Sequence, residues 1–299
     1  MRVLNIGSLN LDYVYRVPHF VRPGESLAAE ERFIACGGKG LNQSVAMARA
    51  GLDVYHAGIV GYDGQMLSDT LTRAGVDTGR IEKLDMPSGH TVIQVDPSGQ
   101  NCIIIFGGTN KMFTEASIEQ ALYGFGNGDI LLLQNEVNHV GEMMRHAKQK
   151  GMRIAFNPSP FDMSVRDLPL ETVDWLIVNE TEGRLLSGEE DIDAVIPSLA
   201  RRYPHMKLLL TLGEEGSVYF DGEKIYRQSA VKTDAVDTTG AGDTFLGFFL
   251  YGAANGLPAA ETLRRASVAA AIAVSRKGAA DSIPTAEEVD KRMAGGTAV

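Results

Sequence analysis

The chain has 299 residues, of which 44% are hydrophobic, so it can bury a substantial core in one large domain or two ordinary ones. Its formal net charge of -10, with scattered Lys and Arg, argues against nucleic acid as a partner. Two cysteines are too few for a disulfide framework, and the longest wholly apolar run, 268–274, is far too short to span a membrane. We therefore expect a cytoplasmic protein without a membrane partner.

Short apolar runs alternate with helical patterns along the chain. Strands are predicted at 3–6, 54–59, 130–133, 153–156 and 175–178, and helices at 41–50, 66–74 and 140–150. This alternation is typical of βαβ units and predicts an α/β fold with a mostly parallel central sheet covered by helices on both faces. Such sheets bind ligands at the carboxyl ends of their strands.

Two segments, 11–34 and 90–106, break this rhythm. Both show β-type alternation, with turn residues at Pro23-Gly24 and at Pro97-Ser98-Gly99. They predict hairpins that project from the main sheet and form a small second β-sheet at about 11–35 and 90–107. Residues 294–299 are predicted to be a frayed tail.

The segment 237–245 (DTTGAGDTF) combines a glycine-rich turn, an acid and the start of an apolar helix. Gly240 and Gly242 let the backbone bend sharply, and the free N–H groups of a helix N-terminus suit a polyphosphate. A carboxylate at Asp243 would be unfavourable beside that phosphate unless it removes a proton from the attacking nucleophile. The pattern indicates a kinase, with a simple helix cap as the alternative.

Two motifs near opposite ends of the chain resemble the signatures of the ribokinase-like, or PfkB, carbohydrate kinases. Residues 237–247 are similar to the C-terminal signature, and residues 37–44 (GGKGLNQS), continuing to Gly61, are similar to the N-terminal one. The resemblance extends over essentially the whole chain, as a single kinase domain, 1–299. It implies a three-layer α/β/α sandwich with a small β-sheet lid over the sugar, and a homodimer formed through the lid strands.

The sugar end of this family's site has counterparts in the N-terminal third. Alternation places Asn10 and Asp12 on one side of the chain, which is typical either of a polar strand edge or of a pair of ligands for sugar hydroxyls. The glycines at 37–40 would bring bare backbone close to a substrate or simply join a loop to a helix. By resemblance, the sugar ligands are Asn10, Asp12, Gly38, Lys39, Gly40, Asn42, Glu136 and Asp243.

Other motif classes are excluded by the residues themselves. Lys39 is followed by Gly rather than Ser or Thr, so the loop at 37–40 is not a Walker loop. The sequence also contains no Gly-x-Gly-x-x-Gly for a dinucleotide, no Gly-x-Ser-x-Gly and no His-Glu-x-x-His.

The nucleotide end is predicted after the later strands. Asn179 and Glu182 resemble the family's Asn-x-x-Glu motif, which implies that the carboxylate of Glu182 holds Mg²⁺ through a bound water. The same two residues also fit a helix capping box. The turn 211–216 resembles the one that holds adenine nucleotide, with a tight hairpin turn as the alternative. By resemblance, ATP contacts Asn179, Thr211, Gly213, Gly216, Gly240 and Gly242.

The segment 276–282 follows a helix of small residues and, by itself, fits a helix C-cap with cations in the last turn. The resemblance instead implies a monovalent cation, K⁺, beside the anion hole. Its ligands would be Asp237, Thr239, Ala273, Arg276, Gly278 and Ser282, mainly through carbonyl oxygens. The resemblance also makes Asp243 the catalytic base and Gly240, Ala241 and Gly242 the anion hole.

Together these motifs predict an ATP-dependent kinase that phosphorylates the primary hydroxyl of a sugar. The expected substrate is ribose and the expected product is ribose 5-phosphate. The alternatives are a related kinase for fructose, deoxyribose or a nucleoside, and a catalytically silent sugar or nucleotide sensor. The complete segment 237–245 disfavours the sensor.

Overall fold

The computed structural model describes residues 1–295, and residues 296–299 lie outside the described chain. The strands are β1 (Arg2–Ile6), β2 (Asn10–Arg16), β3 (Glu31–Gly37), β4 (Asp53–Val60), β5 (Asp77–Lys83), β6 (Gly89–Val95), β7 (Asn101–Phe106), β8 (Ile130–Gln134), β9 (Arg153–Asn157), β10 (Trp175–Asn179), β11 (Lys207–Thr211), β12 (Ser217–Phe220) and β13 (Ile225–Gln228).

The α-helices alternate with these strands and close the chain. They are α1 (Lys39–Ala50), α2 (Gln65–Arg73), α3 (Glu115–Ala121), α4 (Val140–Gln149), α5 (Glu180–Ser187), α6 (Ile192–Arg202), α7 (Ala241–Ala254), α8 (Ala259–Val274) and α9 (Ala286–Gly295). Because α9 extends to Gly295, the predicted tail is wrong for Ala294 and Gly295, while its remainder lies outside the described residues. Within residues 1–295, no helix has the length and apolarity needed to cross a lipid bilayer.

The central sheet has the strand order β13-β12-β11-β10-β9-β8-β1-β4-β5. All neighbouring pairs from β11 to β5 are parallel, and β12 is antiparallel to both of its neighbours. The prediction of a mostly parallel sheet is confirmed.

Helices cover both faces of this sheet, and alternate residues of one strand enter different cores. In β8, Ile130 and Leu132 belong to the core under α1, α7 and α8, whereas Leu131 and Leu133 belong to the core under α3 to α6. A strand buried on both faces reads as an unbroken apolar run, which is why β8 was visible in the sequence. The three-layer α/β/α arrangement is thereby confirmed.

A separate four-stranded sheet, which we call the small sheet, has the order β3-β2-β6-β7. Its strands come from the two segments that break the βαβ rhythm. β2 and β6 pair in parallel at the centre, and β3 and β7 are the antiparallel edges. Ile103 to Phe106 of the edge strand β7 are exposed.

The helices that carry the two sequence signatures, α1 and α7, pack directly against each other. Gly247 makes this possible, since a Cβ on Gly247 would lie 2.4 Å from Cβ of Ala46 and 2.8 Å from its carbonyl carbon. A larger residue at this position would push the two helices apart.

We therefore expect Gly247→Ala to lower the free energy of unfolding by about 1–3 kcal/mol, the usual cost of overpacking. Without the contact with Ala46, the same change inside a helix would be stabilising by up to about 1 kcal/mol. Chemical denaturation measures the difference. Gly295→Ala is the matched control, because no atom of residues 1–295 outside its own stretch of α9 lies within 4 Å of the added Cβ. Unchanged or increased stability of Gly247→Ala would contradict the close packing of α1 and α7.

Candidate active site

Polar side chains follow five neighbouring strands at the carboxyl edge of the central sheet. In the spatial order β11-β10-β9-β8-β1, the residues at or just beyond the strand ends are Thr211, Asn179, Asn157, Gln134 with Glu136, and Ser8. This is the edge at which parallel sheets bind ligands. The predicted sugar and nucleotide residues therefore lie along one edge, with the sugar residues towards β1 and the nucleotide residues towards β11.

The loop 37–40 brings α1 onto the end of β1. Gly38 is the N-cap, with φ 91°, and a Cβ on Gly40 would lie only 2.4 Å from the backbone nitrogen of Ser8. The bare backbone of Gly40 thus approaches the end of β1, and the loop joins β3 to α1, as the loop-to-helix interpretation requires. Contact of these glycines with a substrate stays a prediction. Leu41, the next residue, is fully buried in the core and does not line the site.

Asn10 and Asp12, both in β2, each accept a side-chain hydrogen bond, Asn10 from the turn that follows β7 and Asp12 from β6. The amide oxygen of Asn10 accepts from Asn110 Nδ2 (2.7 Å), and Asp12 Oδ1 accepts from the hydroxyl of Thr91 (2.6 Å). Burial raises the pKa of Asp12 to about 6; the Thr91 hydrogen bond opposes the shift and the charge of Glu136 adds to it. Asp12 is therefore a carboxyl group that titrates close to neutral pH.

Glu136 and Lys39 connect the end of β8 to the start of α1. Glu136 Oε2 accepts a hydrogen bond from the backbone N–H of Lys39 (2.9 Å) and another from the hydroxyl of Ser8. Burial disfavours the charged Lys39 side chain, but the carboxylates of Asp243, Glu136 and Glu182 outweigh it and raise its pKa. The ammonium of Lys39 is thus stabilised by three carboxylates with different predicted roles. Glu136 is predicted to bind the sugar, Asp243 to act as the base and Glu182 to hold Mg²⁺.

Asp243 lies in the first turn of α7 and is 7% exposed. Its Oδ2 accepts from Asn42 Nδ2 (3.1 Å), and its Oδ1 accepts from Gln43 Nε2 (2.8 Å). The helix cap is Gly240, which has φ 73° and provides no capping side chain. The alternative that Asp243 merely caps a helix is therefore wrong, because both of its oxygens bind residues of α1.

The N-terminus of α7 supplies free N–H groups beside this carboxylate. Ala241 N donates to the Thr238 carbonyl (3.2 Å), but the first N–H groups of a helix have no carbonyl four residues before them inside the helix. Gly242 is exposed at this end. The helix N-terminus can thus accept an anion next to Asp243.

Asn179 and Glu182 form the capping box that the sequence allowed. Asn179 Oδ1 accepts from Glu182 N (2.9 Å), and Glu182 Oε2 accepts from Asn179 N (3.0 Å). Glu182 is 5% exposed. The capping bond uses Oε2, so Oε1 is the atom that fits a magnesium-bound water, and carboxylates are usual partners of hydrated Mg²⁺.

The segment 211–216 is a tight turn between β11 and the antiparallel β12. Thr211 is level with Asn179 in the pairing of β10 and β11, and Gly213 is exposed. Gly216 is buried with φ 104°, and a Cβ there would lie 2.0 Å from the Gln228 carbonyl oxygen. Gly216 therefore shapes the turn, as the hairpin alternative required, and places Thr211 and Gly213 at the edge of the sheet.

The loop after α8 is hydrogen-bonded to the side chain of Asp237. Asp237 Oδ1 accepts from Thr239 N (2.9 Å), and Oδ2 accepts from Gly278 N (2.9 Å). Partial burial acts to raise the pKa of Asp237, but these hydrogen bonds outweigh it and lower the pKa. An ionised carboxylate here suits a cation, and a Cβ on Gly240 would lie 3.4 Å from Ala279 Cα, so the loop adjoins the N-terminus of α7.

The other predicted cation ligands lie on the same loop or at the end of α8. The Ala273 carbonyl accepts from Arg276 N (3.0 Å), and the Ser282 hydroxyl donates to the Ala279 carbonyl (2.8 Å). Their backbone carbonyls are the chemistry that a monovalent cation requires, while the hydroxyl of Ser282 is already directed within its own turn.

Sequence reasoning missed several buried polar residues of the site. They are Ser8, Gln43, Thr91, Asn110, Gln134 and Asn157, which bond Asp243, Asp12, Asn10 and Glu136 or one another. Gln134 and Asn157 could have been predicted from the sequence, since each is a polar residue at the end of an apolar strand. Asn110 could not, because it belongs to a short 3₁₀ turn distant in sequence from Asn10.

The fold and this edge of the sheet define a phosphotransferase for sugars. The chain belongs to the pfkB family of carbohydrate kinases, whose family model matches residues 2–286, and it is an ATP-dependent sugar kinase. The predicted family is thus confirmed.

Individual relatives cover nearly the whole chain. Ribokinase from Haemophilus influenzae is 35% identical over 292 residues, 95% of each chain, and ribokinase from Staphylococcus aureus is 32% identical, covering 97% of this chain and 99% of the relative. Arabidopsis thaliana ribokinase complexed with ribose and ATP superimposes with a TM-score of 0.87 at 30% identity, covering 97% of each chain. Ribokinase from Cryptococcus neoformans in complex with ADP gives 0.85 at 33%, covering 97% of this chain and 99% of the other.

The pKa of Asp12 makes stability depend on pH. In the folded protein this pKa is about 6, above its ordinary value of 3.8. The contribution of Asp12 to the free energy of unfolding is therefore complete below pH 3.8 and is lost as the pH rises through 6. We expect Asp12→Asn to be more stable than the wild type at pH 8, by on the order of 1–3 kcal/mol, and equal to it near pH 4. Urea denaturation at both pH values measures this.

Asp85→Asn, at an exposed carboxyl group, is the control for that experiment. A difference between Asp12→Asn and the wild type that is the same at pH 4 and pH 8 would show that burial does not raise the pKa of Asp12.

Proposed function

We propose that this kinase transfers the γ-phosphate of ATP to the primary hydroxyl of ribose and produces ribose 5-phosphate. The observation that carries the proposal is Asp243, held by two amides of α1 directly beside the N-terminus of α7. The relatives named ribokinase and the related structure with ribose and ATP support ribose as the acceptor.

In the proposed reaction, Asp243 accepts the proton of the ribose hydroxyl as its oxygen attacks the γ-phosphorus in line. The new O–P bond forms while the bond from the γ-phosphorus to the β–γ bridging oxygen breaks, and ADP leaves with that electron pair. The N–H groups of Gly240, Gly242 and Asp243 stabilise the charge on the phosphoryl oxygens, whereas that of Ala241, the remaining member of the predicted anion hole, donates to the Thr238 carbonyl (3.2 Å).

Ribose would lie between α1 and the small sheet. Asp12 and Glu136 offer carboxylate oxygens to its hydroxyls, and the amide nitrogen of Asn10 is available because Asn110 occupies the oxygen. Asn42 Oδ1 is buried without a partner within residues 1–295, so a sugar hydroxyl can supply its missing hydrogen bond. The backbone of Gly38 and Gly40, with the cation of Lys39, completes the pocket.

ATP would extend from the N-terminus of α7 towards the ends of β10 and β11. Asn179, Thr211 and Gly213 are the proposed contacts, and Gly216 acts by shaping their turn. Mg²⁺ bound near Glu182 would neutralise phosphate charge. K⁺ beside Asp237 would be held with Thr239, with the backbone carbonyl of Ala273 at the end of α8 and with the carbonyls of Arg276, Gly278 and Ser282 in the loop that follows.

Phosphorylation across a sugar and nucleoside panel tests the proposal. With ATP and Mg²⁺, in the presence and absence of K⁺, we expect ribose to give the highest kcat/KM and K⁺ to stimulate it, with ADP and phosphosugar formed in equal amounts. A higher kcat/KM for fructose, deoxyribose or a nucleoside would overturn the ribose assignment. An unchanged rate of phosphorylation without K⁺ would contradict the proposed cation site beside Asp237.

The control for this assay is Asp243→Ala, which should lower turnover by roughly 10² to 10⁴ if Asp243 is a general base. Ribose affinity, measured by calorimetry, should be largely preserved. Near-normal turnover of this variant would remove Asp243 from the proposed role and indicate another base.

We also propose that two copies associate through the small sheet. Its edge strand β7 exposes Ile103, Ile104, Ile105 and Phe106 by 48 to 63%. Exposed, apolar edge strands are unfavourable in isolation and are usually covered or paired. A second copy offers the same apolar strand, as a symmetric dimer requires.

We also propose a cytoplasmic location for the protein. The two free cysteines fit this location, because disulfides are rare in the reducing cytoplasm.

Ile104→Asp tests the dimer without altering the sugar-facing residues. Ile104 is opposite Val92, whereas Ile105 is opposite Thr91, so Ile104 lies on the face away from Asp12. We expect a wild-type mass of two chains in sedimentation velocity and a monomer for Ile104→Asp, because the contact would bury an unpaired charge. Tyr123→Asp, exposed by 78% outside the small sheet, is the control. A monomeric wild type would contradict the proposal.

A further inference from the structure

A chain of buried amides connects Asp243 to the interior of the central sheet. Asn5, Gln43 and Gln134 are fully buried and Asn157 is 8% exposed. Burying so many polar groups is unfavourable unless each is hydrogen-bonded, and an apolar core would serve stability at least as well. The position of the network, behind the proposed base, calls for a functional explanation.

Gln43 is the member that touches Asp243. Its Nε2 donates to Asp243 Oδ1 (2.8 Å) and to Asn157 Oδ1 (3.0 Å), and its Oε1 accepts from Gln134 Nε2 (2.8 Å). Both amide hydrogens and the carbonyl oxygen are therefore occupied. Rotating the amide by half a turn would direct its oxygen at the carboxylate, so only one orientation is compatible with its neighbours.

The two amides that hold Gln43 are themselves fixed by the sheet. Gln134, at the end of β8, also donates to Asn5 Oδ1 of β1 (2.9 Å), so both of its amide hydrogens are used, although its Oε1 is buried without a partner within residues 1–295. Asn157, at the end of β9, donates to the Ile177 carbonyl of β10 (2.9 Å). Four adjacent strands thus determine where the side chain of Gln43 lies.

Asn42 holds the other oxygen of Asp243 but is less constrained. Its Nδ2 donates to Asp243 Oδ2 (3.1 Å), while its Oδ1 is buried without a partner within residues 1–295. Its amide can therefore adjust to the sugar. The fixed reference for the carboxylate is Gln43 alone.

We propose that Gln43 is a positioning residue for phosphoryl transfer, which sets the plane of the Asp243 carboxylate against the central sheet. The inference rests on the proposed role of Asp243 as base. Each carboxylate oxygen keeps a second lone pair after accepting from α1, so the fixed carboxylate can still accept the sugar proton. A misplacement of about 1 Å costs roughly 10²-fold in rate, which gives such a tether its value.

Gln43→Met tests this, since methionine has a similar length but no amide. We expect kcat to fall 10- to 100-fold, with KM for the sugar and for ATP changed less than about threefold. In the Asp243→Ala background, the same substitution should change the residual kcat by less than about threefold, because Gln43 acts only through Asp243. Circular dichroism and thermal unfolding verify that each variant is folded.

Ser187→Ala is the control for a general loss of stability. Ser187 is the last residue of α5 and is 6% exposed, and its hydroxyl donates to the Arg184 carbonyl (3.4 Å) and accepts from Glu189 N (3.1 Å), away from Asp243 and from the amides that hold Gln43. It should lower stability while leaving kcat within about threefold of the wild type. If Gln43→Met does not fold, Gln43→Asn, which keeps the amide but is one methylene shorter, should show the same loss of kcat.

The outcomes separate this inference from the proposed function. Loss of turnover in Asp243→Ala with a wild-type kcat in folded Gln43→Met or Gln43→Asn overturns the positioning role and leaves the base in place. An equal loss of kcat from Gln43→Met in both backgrounds also overturns it, because Gln43 would then act independently of Asp243. Normal turnover of Asp243→Ala instead overturns the base itself and, with it, the positioning role.

Discussion

The arrangement of the site depends on the buried carboxylate of Asp243, because a charge removed from water must be hydrogen-bonded. Its two partners, Asn42 and Gln43, both come from α1, so α1 and α7 have to lie in contact. The close packing at Gly247 permits this contact, and the approach of Gly40 to the end of β1 fixes α1 on the central sheet. The two sequence signatures thus meet in one pair of helices.

The contact between α1 and α7 also brings Lys39 close to several carboxylates. Asp243, Glu136 and Glu182 come from separate elements, yet all three raise the pKa of Lys39. The single ammonium offsets only part of the charge of these three carboxylates. In this acidic chain, the N–H groups at the N-terminus of α7 are therefore the locally positive groups beside Asp243.

Much of the fold could be predicted because its signals are local. Strands such as β8 and β10 are continuous apolar runs, and the small sheet was visible as segments with a different period. The segment 237–245 and the loop 37–40 were recognisable since a helix N-terminus and a close backbone approach both require particular residue types. Gln43 and Asn110 were not predicted, because a single glutamine or asparagine has no local pattern that distinguishes a surface amide from a buried one.

The sequence by itself determined the α/β class, the order of the elements and the identity of the residues proposed to surround the phosphate, since periodicity and glycine placement act over short stretches of chain. Only the tertiary structure decided which oxygen of Asp243 meets which amide, that Gly216 shapes a turn, and that Leu41 belongs to the core. These features depend on contacts between residues far apart in the chain, and such contacts form only when the strands have taken their places in the sheet.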